Sequence, residues 1–237
     1  MLLRHIHLPG LTSYQHAAKL QDRLVAAFLS HKASPCATTA PGPTVITAQF
    51  HPVYTCGRRE VGAVSDAQKQ YLTSATTPWG EASFHGALRG GQTTFHGPGQ
   101  LVAYPILDLK RHRLTPRCWV HMLETTVIAT CVNYGVKALR TENPGVWVSE
   151  HDKICALGVH LRRNVTSHGV GLNVSTELGW YGRIVACGLE GKGTTSLTRE
   201  GVDPVPDVEA VGDVFVKQLA TELDGVEGVA RVSAGAG

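Results

Sequence analysis

The sequence predicts an α+β fold, with mixed and antiparallel sheets flanked by helices. Helical segments stand apart from groups of short, β-branched strands instead of alternating with single strands. Tight polar turns join neighbouring strands, which is typical of antiparallel pairing. No internal repeat and no sharp change of composition divides the 237 residues. We therefore expect one domain over residues 1–223, followed by a flexible C-terminal tail over residues 224–237.

The first half of the chain is predicted to contain a helix, a strand and a hairpin. Thr12 and Gln15 form a capping-box pattern before a stretch with helical spacing. Pro98 and Gly99 suit the central positions of a type II turn, so they predict a hairpin. Its second arm is residues 100–107. The other segments are a loop, a strand and a long surface excursion: residues 33–43, 45–50 and 62–82, respectively.

The second half is predicted to contain two helices with strands between them. Thr115, with Pro116 in the first turn, begins one helix, and Gly135 follows its end. Asp207 caps the other. The strands between them are residues 146–148 and 153–161, joined by a polar turn, and residues 166–174.

The composition excludes several classes of protein. Hydrophobic residues make up 43% and charged residues 17%, and the net charge of +3 is too small to indicate a nucleic-acid-binding protein. No apolar run approaches the roughly 18 residues of a membrane span. The sequence shows no signal peptide, so we expect the cysteines to be reduced.

The chain has six cysteines, any of which could be a nucleophile, and twelve histidines, which could be metal ligands. No Cys-x-x-Cys pair occurs, and His5 and His7 lack further ligands at metal-site spacing, so we expect no metal. Cys155 falls in the middle of an apolar strand face, Cys131 in a helix and Cys36 in a loop. Cys187 adjoins Gly188 between predicted elements, which favours an accessible thiol.

The strand of residues 153–161 places Lys153 at the start of a row of apolar side chains. Two interpretations stay open. The ammonium group can reach water from the strand end, or the lysine is partly buried and assists a thiolate or a proton transfer.

The strand of residues 166–174 carries Ser167, Gly169, Gly171 and Asn173 on one face, while His168 shares the other face with apolar residues. Glycines in a strand indicate close approach by a ligand or by another strand. Both explanations stay open.

A glycine-rich segment spans residues 89–100, in which Arg89 and His96 bracket Gly90 and Gly91. The glycines leave backbone N–H groups accessible to a ligand, and Arg89 and His96 supply donors for a carbonyl or an anion. A phosphate-binding P-loop is excluded, because no Gly-Lys-Ser/Thr follows.

This segment resembles the signature of the lipoyl(octanoyl) transferase family, and the resemblance continues in order from Leu8 to Leu197. The further matching segments are His51–Thr55, Pro144–Val148, Lys153–Ile154, Ala156–Gly158, Ser167–Gly169, Leu172–Val174 and Ala186–Gly188. Ala186 departs from the proline that many members have before the cysteine.

The resemblance implies the single-domain fold of biotin-protein ligases and lipoate ligases. It also implies octanoyl transfer from octanoyl-acyl carrier protein to a lysine of a lipoyl domain, in 2-oxoacid dehydrogenase E2 subunits or the glycine-cleavage H protein. We expect no cofactor, no nucleic-acid partner and no membrane in this reaction. Members from eukaryotes act in mitochondria, so we expect a mitochondrial location if the source is eukaryotic, although no presequence is visible, and a cytoplasmic one otherwise.

By position, the resemblance makes Cys187 the acyl-thioester nucleophile and Lys153 the residue that tunes it. His168 and Asn173 are further candidates. The implied substrate-binding residues are Arg89, Gly90, Gly91, Gln92, Thr93, Thr94, Phe95, His96, Ala156, Leu157, Gly158, Gly169, Val170 and Gly171.

Thioester chemistry agrees with this assignment, since exchange between two thioesters needs no ATP and a nearby amine can take the thiol proton. Two alternatives remain. One is an ATP-dependent lipoate or biotin ligase on the same fold, and the other is a protein that binds acyl carriers without catalysis.

Overall fold

A computed structural model of the protein describes residues 1–36, 38–75, 79–184 and 191–234. The helices are α1 (Tyr14–Ala33), α2 (Asp66–Thr73), α3 (Pro116–Asn133) and α4 (Val208–Glu222). The strands are β1 (Leu2–Thr12), β2 (Thr44–Phe50), β3 (Val53–Cys56), β4 (Ser83–Gly86), β5 (Thr94–His96), β6 (Gln100–Ile106), β7 (Val146–Trp147), β8 (Asp152–Arg162), β9 (Val165–Asn173), β10 (Gly193–Thr194) and β11 (Gly228–Arg231).

These strands form two sheets. The larger has the order β10-β8-β9-β6-β2-β1-β11, with β7 also paired to β8, and the smaller has the order β4-β3-β5. The centre of the larger sheet is antiparallel, from β8 to β2, whereas β1 is parallel to both of its neighbours. Mixed sheets flanked by helices confirm the predicted α+β class.

Alternation along β6 divides the core between the two faces of the larger sheet. Leu101 and Ala103 pack with α3 and α4, while Val102 and Tyr104 pack with α1. A third apolar cluster joins the smaller sheet to the 3-10 helix Leu178–Arg183. The larger sheet is therefore covered by helices on both faces.

The predicted hairpin around residues 97–99 is wrong, although its turn is present. Gln100 donates to the Gly97 carbonyl over 3.2 Å, and Gly99 has a φ of +77°. The two arms then diverge, since β5 pairs with β3 in the smaller sheet and β6 with β2 and β9 in the larger. The turn fixes only local geometry, and the pairing is decided by more distant strands.

The helix predictions hold, with one change of cap. Ser13 caps α1 by accepting from the His16 amide, whereas Thr12 is the last residue of β1. Thr115 caps α3 as predicted, and Gly135 follows with a φ of +77°. The surface excursion at residues 62–82 contains the unpredicted helix α2. No helix among the described residues is long and apolar enough to cross a membrane.

The C-terminal segment contains a strand that the sequence analysis assigned to a flexible tail. β11 pairs in parallel with the start of β1, from Leu2 opposite Gly228 to His5 opposite Arg231. The small and polar residues of this segment gave no periodic signal, because the strand lies at the sheet edge and is only partly buried. Residues 228–231 thus belong to the larger sheet.

Candidate active site

A small pocket with a cavity volume of about 40 Å³ lies between β8, β9 and the glycine-rich segment before β5, and we call it the central pocket. Tyr104 of β6 also lines it and was not predicted from the sequence. The other lining residues were all candidates: Arg89, Gly91, Gln92, Thr94, His96, Ala156, Leu157, Gly158, His168, Gly169, Val170 and Gly171. The fold therefore brings the glycine-rich segment together with β8 and β9, which follow it at a large distance in sequence.

Four other candidates surround the central pocket without lining it: Gly90, Thr93, Phe95 and Asn173. Phe95 belongs to the core of the smaller sheet, where it stacks on Trp180 with ring centroids 5.0 Å apart. Thr93 donates to a carboxylate oxygen of Glu60 over 2.9 Å. These two side chains therefore contact other parts of the protein and do not line the pocket.

The glycines of β9 are explained by neighbours within the protein. A Cβ on Gly169 would lie 2.3 Å from the Ala103 carbonyl oxygen, so this glycine permits the close approach of β6. A Cβ on Gly171 would lie 3.3 Å from Nδ1 of His96 and would also narrow the pocket. Of the two explanations left open by the sequence, strand packing accounts for Gly169, and Gly171 makes room for a pocket side chain.

Arg89 holds the glycine-rich segment in place. Its guanidinium group is buried and donates to the Thr55 carbonyl over 2.6 Å, to the Thr55 hydroxyl over 2.7 Å and to the Gln92 carbonyl over 2.9 Å. A Cβ on Gly158 would lie 2.9 Å from the Arg89 side chain, so this glycine admits the arginine. The sequence predicts that Arg89 donates to a ligand, whereas in these contacts both terminal nitrogens of its guanidinium group donate to the protein.

His96 is the end of a buried hydrogen-bonded network. Its Nδ1 lies 2.6 Å from the Gln100 side-chain oxygen, and the Gln100 amide nitrogen donates to Asn173 and to the Tyr181 hydroxyl, each over 2.8 Å. Asn173 in turn donates to the Thr195 carbonyl over 3.0 Å. Burial is the largest cause that lowers the pKa of His96, to about 4, so the ring is neutral near neutral pH.

His168 lines the central pocket, although alternation predicted that it packs with the apolar face of β9. Its φ of +57° lies in the left-handed region, which breaks the alternation. Its backbone amide donates to Gln21 of α1 over 2.6 Å, and its ring meets Tyr104 edge-on at 5.4 Å. The pKa of His168 is lowered to about 3. Burial is the largest cause, and the positive charge of Arg89 is the second. No sequence pattern signals this conformation at a histidine.

Lys153 is buried at the start of β8, with 6% of the residue exposed. Its Nζ donates to the Pro144 carbonyl over 3.0 Å and lies 4.5 Å from the ring centroid of Trp147. Gly145 has a φ of +116°, and a Cβ there would lie 3.4 Å from the same Nζ. Of the two interpretations left open by the sequence, the buried lysine is the one observed.

Cys187 lies in residues 185–190, outside the described residues, so its distance from Lys153 stays a prediction. Cys131 and Cys155 are confirmed as buried side chains, and burial raises the pKa of the Cys131 thiol to about 12. Cys118 is exposed at the first turn of α3, where a hydrogen bond with Thr115 lowers its pKa.

His5 and His7 are occupied by contacts that join β1 to α4. His5 lies 3.3 Å from Asp213, and His7 lies 3.3 Å from Glu209. Both rings also contact the Thr47 hydroxyl. Across the described ranges, no three His, Cys, Asp or Glu side chains form a cluster that could hold a metal ion.

Solved structures share this fold at low sequence identity. A bipartite lipoate protein ligase from Thermoplasma acidophilum aligns with a TM-score of 0.64 over 98% of this chain and 86% of its own, at 12% identity. A biotin protein ligase from Aquifex aeolicus aligns with a TM-score of 0.50 over 92% of this chain and 69% of its own, at 15% identity. These alignments confirm the predicted fold.

Sequence relatives are much more similar. A Schizosaccharomyces pombe protein named as a probable octanoyltransferase is 50% identical over 90% of this chain and 92% of its own. A Danio rerio protein named octanoyl-[acyl-carrier-protein]:protein N-octanoyltransferase, mitochondrial, is 40% identical over 93% and 94%. The family model of the lipoyl protein ligase A/B catalytic domain matches residues 13–220. With its central pocket and buried Lys153, the chain therefore belongs to the lipoyl protein ligase A/B family and, within it, to the octanoyltransferases, which are acyltransferase enzymes.

Proposed function

We propose that the enzyme takes octanoyl groups from octanoyl-acyl carrier protein, holds them as a thioester on Cys187 and passes them to a lysine of a lipoyl domain. The acceptors are the lipoyl domains of 2-oxoacid dehydrogenase E2 subunits and the glycine-cleavage H protein. The observation that carries this proposal is the buried amine of Lys153, on the same strand as the pocket-lining residues 156–158. The Danio rerio relative is named for the same donor class.

The reaction has two steps. In the first, the Cys187 thiolate attacks the donor thioester carbonyl, the bond to the carrier sulfur breaks, and the carrier sulfur takes from Lys153 the proton that came from Cys187, so the carrier leaves as a thiol and the Lys153 amine is neutral again. In the second, the acceptor amine attacks the enzyme thioester and Cys187 leaves as the thiolate. Each step replaces one thioester bond by a bond of equal or lower energy, so no ATP is required. Lys153 would take the thiol proton in the first step and an amine proton in the second.

The described residues on both sides of residues 185–190 contact the site. Tyr181, before this segment, hydrogen-bonds with Gln100 and Asn173. Thr194, after it, pairs with Lys153 in the sheet. These contacts place the described residues before and after Cys187 at the site, which supports the proposal that its thiol acts together with the Lys153 amine.

A transfer assay tests the proposal. The enzyme, octanoyl-carrier and a lipoyl domain are mixed without ATP, and the octanoylated lysine is followed by mass spectrometry. We expect transfer by the wild type and by Cys118→Ala, which removes an exposed thiol with a lowered pKa, and none by Cys187→Ala. Transfer by Cys187→Ala that depends on added ATP would instead indicate a ligase, and binding of the carrier without transfer would indicate a non-catalytic protein.

We also propose that the enzyme acts in mitochondria, because relatives from Danio rerio and Saccharomyces cerevisiae are named mitochondrial. Fractionation of the source cells tests this: the protein is expected with the mitochondrial matrix, and its recovery in the cytosol alone would contradict it.

A further inference from the structure

The network behind His96 has only one consistent direction of donors and acceptors. The Thr195 carbonyl can only accept, so the Asn173 atom facing it is the amide nitrogen, at 3.0 Å. The Asn173 oxygen is then the atom that faces Gln100, and the Gln100 amide nitrogen donates to it over 2.8 Å.

The same reasoning fixes the proton on His96. With its nitrogen directed to Asn173, Gln100 presents its oxygen to Nδ1 of His96 at 2.6 Å. An oxygen acceptor at this distance requires Nδ1 to carry the proton. The Phe95 carbonyl supports the same orientation of the Gln100 amide, because the Gln100 side-chain nitrogen donates to it over 3.3 Å. The ring is neutral, so Nε2 carries a lone pair and no proton.

His96 holds Gln100 through Nδ1, so Nε2 is the ring nitrogen that remains available to a group bound in the central pocket. His96 lines the pocket, its Nδ1 edge is held by Gln100, and Phe50 lies edge-on to its ring at 6.1 Å. Across the described residues, Nδ1 is the His96 ring atom that hydrogen-bonds to the protein. The network therefore presents an acceptor, and not a donor, to a bound group.

We propose that Nε2 of His96 accepts a hydrogen bond from the incoming lysine amine in the second step, and that Gln100 and Asn173 are positioning residues that set the His96 tautomer. This inference rests on the proposed function. An amine attacks with its nitrogen lone pair, so its N–H bonds must be turned away from the thioester carbonyl. An acceptor does this, whereas a protonated ring would bind the lone pair itself.

The step balances without any further reactant. The amine lone pair forms the C–N bond to the thioester carbonyl carbon, and the C–S bond breaks with its electron pair on Cys187. One amine proton passes to Lys153, while the hydrogen bond to His96 holds the orientation during attack. His96 remains a poor base, because burial keeps its pKa at about 4, so it orients the amine and does not deprotonate it.

Two substitutions of His96 distinguish the role of Nδ1 from the role of Nε2. His96→Asn places an amide nitrogen where Nδ1 lies and preserves the bond to Gln100, but removes the acceptor at the Nε2 position. His96→Gln can place an amide oxygen near the Nε2 position, but loses the bond to Gln100. Each variant is acylated with octanoyl-carrier, and the acyl-enzyme is then mixed with a lipoyl domain in single-turnover experiments.

We expect the transfer step of His96→Asn to slow by about 10²-fold, at least ten times more than its acylation step, and His96→Gln to recover part of the loss. Equal slowing of both steps, or a faster transfer by His96→Asn than by His96→Gln, would overturn the proposal. If no variant and no wild type forms an acyl-enzyme, the proposed function itself fails, which is a different outcome.

Gln100→Glu tests the positioning role by its pH dependence. A carboxylate next to Nδ1 raises the pKa of His96, so Nε2 becomes protonated as the pH falls and can no longer accept. We expect the transfer rate of this variant to fall between about pH 7 and pH 5 relative to the wild type, with the acylation rate as an internal measure of folding. Asn173→Asp is the second variant, for use if Gln100→Glu is unfolded. It removes the amide nitrogen that donates to the Thr195 carbonyl, so the donors and acceptors of the network are no longer fixed. We expect this variant to slow transfer more than acylation. The same pH profile as the wild type in a folded Gln100→Glu, or equal slowing of both steps in Asn173→Asp, would contradict the positioning role.

Discussion

At the scale of single residues, the sequence predicts which residues line the pocket better than it predicts the contacts they make. The glycine-rich segment and the residues of β8 and β9 could be found from their pattern and family resemblance, and most of them line one pocket. Two features could not be predicted from the sequence. They are the hydrogen bonds by which Arg89 holds its own segment and the left-handed φ of His168. Both depend on contacts between distant strands, which no local pattern encodes.

Lys153→Met tests the proposed proton transfer, because it keeps the length of the side chain and removes the amine. We expect the transfer rate to fall by about 10²–10⁴-fold, the range for loss of a general acid–base group. The midpoint of thermal unfolding is expected to stay or rise, since the variant no longer buries a polar amino group beside Trp147. Full activity of Lys153→Met would remove this residue from the mechanism.

Gly145→Ala tests the backbone conformation that lets Lys153 reach Pro144. The φ of +116° disfavours any side chain, and the new Cβ would lie 2.7 Å from the Cys155 carbonyl oxygen. We expect the free energy of unfolding to fall by about 2–4 kcal/mol, from strain and overpacking together. Gly62→Ala is the matched control, because Gly62 also has a positive φ but open space around it. Equal losses for the two variants in urea unfolding would exclude the proposed clash.

At the scale of elements, local signals predict helix starts and tight turns, while strand partners require the whole fold. Thr115 and Gly135 marked α3 correctly, because caps act within one turn. Pro98 and Gly99 marked a real turn, yet β5 and β6 enter different sheets. The register of β5 and β6 is set by strands that are distant in sequence, with Tyr54 opposite Phe95 and Asn173 opposite Gln100, so the hairpin could not be judged locally.

The contacts between β1 and α4 predict how stability depends on pH. Burial is the largest cause that lowers the pKa of His5, to about 4 from 6.5, and burial also lowers the pKa of His7. The unfolded chain therefore binds more protons than the folded protein between these values, and stability falls as the pH falls from about 6.5 to 4. Thermal unfolding at successive pH values measures this slope.

His5→Gln is the variant for this test, because it keeps a polar side chain opposite Thr47 and Asp213 but does not titrate. Its slope between pH 6.5 and 4 is expected to be smaller than that of the wild type, although His96 and His168 still contribute in the same direction. His16→Gln, at an exposed histidine on α1, is the control and is expected to keep the wild-type slope. A His5→Gln slope equal to that of this control would contradict the assignment.

At the scale of the whole molecule, β11 is the edge strand of the larger sheet and covers the edge of β1. β11 pairs with β1, Val232 donates to the His5 carbonyl over 2.9 Å, and Arg231 forms ion pairs with Glu209 and Asp213. Ending the chain after Leu223 would expose β1 as an edge strand. We expect this truncation to lower the unfolding temperature by several degrees and to promote aggregation, as measured by light scattering.

The matched control for the truncation is the full chain with Arg231→Ala, which removes the ion pairs but keeps the strand. Its loss of stability is expected to be at most about 1 kcal/mol, because the pairs are exposed. A truncated chain as stable as the full chain would show that residues 1–223 fold independently, as the sequence analysis predicted.

The most direct test of the whole account is the mass of the intact enzyme after incubation with octanoyl-carrier in the absence of an acceptor. We expect an increase of one octanoyl group, located on Cys187 by peptide mapping, removed by hydroxylamine at neutral pH and transferred to a lipoyl domain on its addition. No adduct on the active wild type, or an adduct on another residue that resists hydroxylamine, would contradict a thioester intermediate on Cys187.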